Sequence, residues 1–140
     1  LRDLSKEELA ACESLLDPET FRRVRHVVTE IARVKSAVIA LREKDFALLG
    51  ELINQSHDSL RDDYTVSCPE LDTAVDAARS AGALGARMVG GGFGGSAIAL
   101  IQEKDAGRIS QAIELAFAAK GFTAPRFFDA MPSDGAKVIS

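Results

Sequence analysis

Residues 90–95 read Gly-Gly-Gly-Phe-Gly-Gly, so five of the chain's 11 glycines fall within six positions. Each costs roughly 0.5–1 kcal/mol of folding free energy relative to alanine. Such runs occur where peptide N–H groups cradle a ligand or two backbones nearly touch, and phosphate oxygens are the commonest guest. Gly90, Gly92 and Gly95 satisfy G-x-G-x-x-G, but a dinucleotide site needs a helix directly after the glycines. Ser96-Ala97-Ile98-Ala99-Leu100-Ile101 follows instead, short, apolar and β-compatible. No Lys-Ser or Lys-Thr follows the glycines to complete a phosphate loop of the G-x-x-x-x-G-K-[ST] kind. The glycines therefore predict a loop between two strands, either an anion cradle or a plain flexible hairpin turn. Arg87, just before them, is placed equally well to meet an anion or to pair with an acidic side chain.

The remaining reactive side chains are less specific. His26 stands among Arg22, Arg23 and Arg25. A solvated or capping role suits it better than acid–base work, which needs an orienting partner. Ser56-His57-Asp58 is no hydrolase triad, because consecutive residues of a helix do not face one another. Asp62 and Asp63 offer carboxylates to a cation, yet beside Arg61 they read more readily as a charged helix end. Cys12 and Cys68 lack C-x-x-C spacing and have no histidine at metal-ligand spacing, so no metal site is expected. Two such thiols fit a reducing cytoplasm, with a disulfide as the alternative. These residues support a soluble domain with an anion-binding loop and specify no reaction.

The elements that must position them follow from pattern. At 140 residues, with 46% hydrophobic composition, the chain suffices for one domain with a real core. Its 17 basic and 21 acidic residues give a net charge of −4. No basic stripe alternates with aromatics, so nucleic acid is not an expected partner. No apolar run reaches the ~18–20 residues of a membrane span, and no signal peptide is visible. The chain begins with Leu1, which suggests a piece of a longer protein.

Ser5-Lys6-Glu7-Glu8 has capping-box spacing and predicts a short helix to about residue 16. Asp17 and Pro18 then serve as N-cap and first helical residue. Phe21, Val24, Val28, Ile31, Val34 or Lys35, Val38 and Leu41 recur at three- and four-residue steps, predicting a long amphipathic helix. Asp45 opens an antiparallel partner with Phe46, Leu49, Leu52, Ile53, Ser56 and Leu60 on one face. Ser67-Cys68-Pro69-Glu70 reads as a second capping box. It starts a helix carrying Leu71, Ala74, Val75 and Ala78, stopped by Gly82. Strand, glycine loop and strand follow over about 84–101. A helix from about Asp105 turns Ile109, Ile113, Ala116 and Phe117 inward and ends at Gly121. Residues 125–130 look strand-like, 132–135 like a turn, and 136–139 like a last strand. The fold class is α+β, with helices packed on one face of a small antiparallel sheet.

Several separated stretches carry a resemblance: residues 25–30, 56–64, 67–72 and 85–95, with 134–138 near the end. In that order they resemble the C-terminal half of the galactokinase family, within the GHMP small-molecule kinases. The resemblance spans nearly the whole chain and implies one ferredoxin-like GHMP kinase C-terminal domain over 1–140. It implies transfer of the ATP γ-phosphoryl group to the anomeric hydroxyl of galactose, in a site between two domains. The family's third motif matches here, so Arg87, Met88, Gly90, Gly91, Gly92, Phe93, Gly94 and Gly95 are expected near the phosphates. Asp63, Tyr64, Ser67 and Pro69 fall in a connector expected to line the same cleft. Ser96 stands where relatives often have Cys.

The family's sugar-binding first motif, its phosphate loop and its catalytic aspartate have no counterpart in this sequence. No catalytic residue is therefore expected here, and ATP and Mg2+ would be held mainly by an N-terminal domain. Galactose, ATP and that domain are the implied partners, in the cytoplasm. Alone, the chain is expected to be inactive and able to self-associate through its uncovered cleft face. Three alternatives remain: a domain of a non-catalytic sugar and ATP sensor, of another GHMP kinase, or an independent ferredoxin-like anion-binding module. Residues 59–64 favour galactokinases over mevalonate or homoserine kinases.

Overall fold

A computed structural model describes residues 1, 3–130 and 135. Helix α1 (Lys6–Cys12) opens on the expected capping box, with the Ser5 hydroxyl and Glu8 carboxylate each taking the other's backbone N–H. It stops at Cys12 rather than near residue 16, and residues 13–16 make turns instead. Asp17 caps α2 (Pro18–Glu43) by accepting the amides of Glu19 and Thr20. Lys44, in the left-handed region at φ 57°, reverses the chain. Asp45 then caps α3 (Phe46–Asp62) through the Leu48 amide.

Helix α4 (Pro69–Ser80) begins differently from its sequence reading. Cys68 is the N-cap and supplies no side-chain bond, and the Ser67 hydroxyl donates to Asp72 instead. The second capping box is therefore not formed, because the helix starts one residue later than that box requires, with Cys68 in the cap position. Gly82 ends α4 as expected. Its N–H reaches the Arg79 carbonyl and the Ala83 N–H the Ala78 carbonyl, a Schellman pattern with Gly82 at φ 93°.

Strands β1 (Gly85–Val89) and β2 (Ser96–Leu100) pair antiparallel, with Arg87 opposite Ile98. A 3-10 turn at Glu103–Asp105 leads into α5 (Ala106–Lys120), which Gly121 terminates. The core is in three parts. Leu9, Phe21, Val24 and Val28 join α1 to α2. Leu60, Leu71 and Met88 join α3, α4 and β1. Val75, Ala78, Ala86, Ile109, Ile113 and Phe117 join α4, β1 and α5. Ala116 lies at the margin of the last group, only half-buried.

Two close approaches set the sheet against α3. A Cβ on Gly50 would stand 2.3 Å from the Leu84 carbonyl oxygen, and one on Gly85 2.3 Å from the Gly50 oxygen. Helix and strand thus touch backbone to backbone, and side chains of α3 close the outer edge of β1. Asn54 donates to the Leu84 carbonyl at 3.3 Å and accepts the Ala86 N–H at 2.9 Å. His57 Nδ1 accepts the Met88 N–H at 3.2 Å, and Arg79 donates to the Ala86 carbonyl at 3.2 Å.

Residues 125–130, strand-like in sequence, form no strand. Residues 122–130 run without helix or ladder, since β propensity makes a strand only where a neighbour offers hydrogen bonds. The expected turn at 132–135, save Gly135, and the expected strand at 136–139 lie outside the described residues. The second half of α2 also departs from its pattern. Val34, Val38 and Leu41, on the predicted inward face, are exposed, because α3 packs against a different side of that turn.

Candidate functional site

The glycine loop joins β1 to β2, as its spacing requires. Its Phe93 N–H donates to the Val66 carbonyl at 2.8 Å, with Phe93 at φ 59° and Gly92 at φ 84°. A Cβ on Gly92 would stand 2.0 Å from the Val66 oxygen, so glycine is needed there both for its backbone angle and for the contact. Around Gly90, Gly91, Gly94 and Gly95 no atom lies within 4 Å of where a Cβ would be. Among the described residues, no other amide of 90–95 has a partner outside the strand ladder. The loop is therefore tied down at one point and open along the rest. Backbone N–H groups that lack a protein partner can receive an anion.

Phe93, Val66 and Tyr64 form one wall of an open cleft of about 790 Å3, and Thr20, Arg23 and Val27 of α2 form the other. Tyr64 stacks on His26, ring centroids 4.6 Å apart and planes 16° from parallel. His26 is buried, contrary to the solvated or capping role its arginine neighbours suggest. Arg23 and Arg25 reach past it to Asp63 while the imidazole turns into the α2–α3 interface. Its Nδ1–H reaches the Ser59 hydroxyl at 3.0 Å, and Ser59 in turn donates to Asp63 Oδ2 at 3.0 Å. Burial holds the His26 pKa below its ordinary value, against the pull of Glu30 and Asp63.

Arg25 donates to the other oxygen of Asp63, and Arg23 to the Asp63 backbone carbonyl. Asp62 is taken by Arg61 at 2.8 Å, which keeps its carboxyl below the usual range. The adjacent aspartates therefore serve two different arginines. Among the described residues no group of three or more His, Cys, Asp or Glu is placed to hold a metal ion.

Arg87 turns toward α2. Its guanidinium lies 3.8 Å from Glu30, and its Nε donates to the Met88 carbonyl at 2.9 Å. Glu30 is itself held by Arg33 and Ser56, each at 2.6 Å. Of the two readings of Arg87, pairing with an acid is the one this arrangement makes. Met88 is fully buried, Pro69 is exposed at the first position of α4, and Ser67 is engaged by Asp72. His57 is also fully buried. With Nδ1 accepting from Met88, its proton sits on Nε2, which lies 3.2 Å from Asp72 Oδ1 without hydrogen-bond alignment. Burial first, and Arg79 second, lower its pKa.

Among the expected site residues, then, the structure gathers Tyr64 and Phe93 at one cleft, with Gly92 packed behind Phe93 on the Val66 carbonyl. It places Asp63, Arg87, Met88 and Ser67 in the framework behind. Val66 and the α2 wall were not foreseen, since a carbonyl contact and a facing helix leave no side-chain signature. Gly50 did leave a signal: a glycine inside a helix costs about 1 kcal/mol and usually has a packing reason.

Residues 37–119 match the family model described as GHMP kinases C terminal. The chain belongs to that family. It is 52% identical over 139 residues to a galactokinase of Streptomyces coelicolor, covering 98% of this chain and 36% of that protein. The solved structure of Lactococcus lactis galactokinase complexed with galactose superposes with a TM-score of 0.83 at 41% identity, over 88% of this chain and 32% of that one. An L. major mevalonate kinase in complex with R-mevalonate gives a TM-score of 0.57 at 35% identity, over 81% and 33%. This GHMP kinase domain spans about a third of the length of the curated relatives it matches.

Proposed function

We propose that the chain is the C-terminal third of a galactokinase, supplying one wall of a site where the ATP γ-phosphoryl group passes to galactose. The observation that carries this is identity of 52% to a galactokinase across 98% of the chain. The higher TM-score of the galactokinase structure than of the mevalonate kinase, 0.83 against 0.57, supports the same choice. Phosphoryl transfer asks the protein chiefly for positioning and charge stabilisation. This domain's share is backbone work. The open amides of the glycine loop fit a phosphate-bearing ligand, with ATP supplying the phosphoryl group.

Protein ligands for the Mg2+ that such kinases use would come mainly from the N-terminal part of the protein, one or two carboxylates sufficing beside the substrate phosphates. On this reading the N-terminal two-thirds of the protein brings the sugar and the catalytic base. Two free cysteines accord with a cytoplasmic location.

The test is ADP formation by the full-length protein over a panel of sugars, with this domain alone in parallel. Galactose-dependent turnover by the parent and none by the domain is the expected result. A folded parent that binds galactose and ATP without turnover would overturn the reading and favour a sensor.

A further inference from the structure

His26 has no part in the chemistry just proposed, yet it sits at the root of the only tether found on the glycine loop among the described residues. The path is short and continuous. The imidazole Nδ1–H meets Ser59 at 3.0 Å, and Ser59 meets the Asp63 carboxylate at 3.0 Å. Its ring face carries Tyr64 at 4.6 Å. Two successive residues at the exit of α3 are thus fixed, one by the edge of the imidazole and one by its face. Thr65 follows in the left-handed region at φ 55°. Val66 comes next, and its carbonyl receives Phe93 at 2.8 Å while lying against Gly92.

We propose that His26 is a positioning residue for the glycine loop, acting through Ser59, Asp63 and Tyr64 on the Val66 carbonyl. Histidine suits the task because one side chain must offer an N–H at the δ position and a flat face together. Asparagine keeps only the donor, and phenylalanine only the face. Arg23 and Arg25, bound to the carbonyl and carboxylate of Asp63, brace the same bend from the solvent side. A loop presented on a rigid bend holds its open amides in one arrangement. That is what a transition-state contact needs and a ground-state contact needs less. The catalytic consequence rests on the proposed kinase reading; the structural link does not.

The experiment uses the full-length protein with His26→Phe, His26→Asn and Ser59→Ala, the last removing only one oxygen from the relay. Amide hydrogen exchange is followed at Phe93 and, as reference, along α5. Turnover is measured over galactose concentration. Each variant should speed exchange at Phe93 by roughly tenfold, as for loss of one bond in a charged network, with α5 unchanged. In an active parent kcat should fall several-fold while KM for galactose stays within about twofold. Unchanged exchange at Phe93 in folded His26→Phe and Ser59→Ala would overturn the proposal. Exchange rising equally in α5 would overturn it too, by showing general loosening. A parent inactive on galactose whose Phe93 exchange still responds would refute the kinase reading and leave the positioning role standing.

Discussion

Replacing Gly92 with alanine puts the packing argument to a quantitative test. The new Cβ would lie 2.0 Å from the Val66 oxygen and 2.9 Å from both the Val66 carbonyl carbon and Cβ. Ordinary contact begins near 3.4 Å, so the loop must retreat by more than an ångström, breaking the 2.8 Å bond from Phe93 to Val66. That bond is worth about 0.5–1.5 kcal/mol. Holding φ at 84° with a Cβ present costs about 1–2 kcal/mol more. Gly92→Ala should therefore destabilise the folded state by about 2–3 kcal/mol. Gly91→Ala, one residue away, meets nothing within 4 Å and needs no positive φ. Its effect should lie between zero and a gain of about 0.4–1 kcal/mol. Urea unfolding at constant m-value measures both. A difference under about 0.5 kcal/mol between the two variants would refute the claim that the Val66 contact, and not glycine content, dictates the residue.

Gly50→Ala drives a Cβ to 2.3 Å from the Leu84 oxygen, backbone against backbone, and should cost about 3 kcal/mol or more in the same assay. Gly107→Ala, inside α5 with nothing near it, should instead be neutral or stabilising by up to about 1 kcal/mol. Asn54→Ala leaves the Ala86 amide and Leu84 carbonyl without their partner, a loss of about 1–3 kcal/mol by thermal melting. His26 and His57 both titrate below their ordinary value because they are buried. As pH falls through ~6.5 the unfolded chain takes up these protons while the folded one resists, so stability should decline from there downward. The lowered carboxyls of Asp17 and Asp62 act only at more acid pH. Equal urea midpoints at pH 7.5 and 5.5 would contradict the burial of both rings.

What could be read from the sequence was the local chemistry. Ser5, Asp17 and Asp45 announced helix starts because an N-cap is settled by its next three residues, and Gly82 and Gly121 announced stops for the same reason. The glycine loop was legible because a short, apolar, β-compatible segment follows it where a dinucleotide site would need a helix. Hidden features all depend on partners distant in sequence. Ser67 caps nothing because α4 starts one residue later, leaving its hydroxyl to donate to Asp72. His26 is surrounded by arginines in sequence but by Ser59 and Tyr64 in space. Arg87 finds Glu30, 57 residues earlier, where the sequence left anion and acid equally plausible. The stripe from Val34 to Leu41 was recognised as apolar, but a stripe states only that something suits its surface, not that the domain's own core supplies it.

The sheet's closed edge also bears on how the chain matures as it is made. A growing polypeptide emerges N-terminus first, at about 5–20 residues per second. Helix α3, carrying Asn54 and His57, is therefore complete before Leu84, Ala86 and Met88 leave the ribosome. Strand β1 arrives at a template that already displays its hydrogen-bond partners. It spends little time as a naked edge open to other nascent chains, and β2 then needs only the glycine hairpin to find its register. A circular permutant that translates residues 84–101 before α3 would reverse this order, leaving a β-prone segment whose one charge is Arg87 unsheltered until its helix is synthesised.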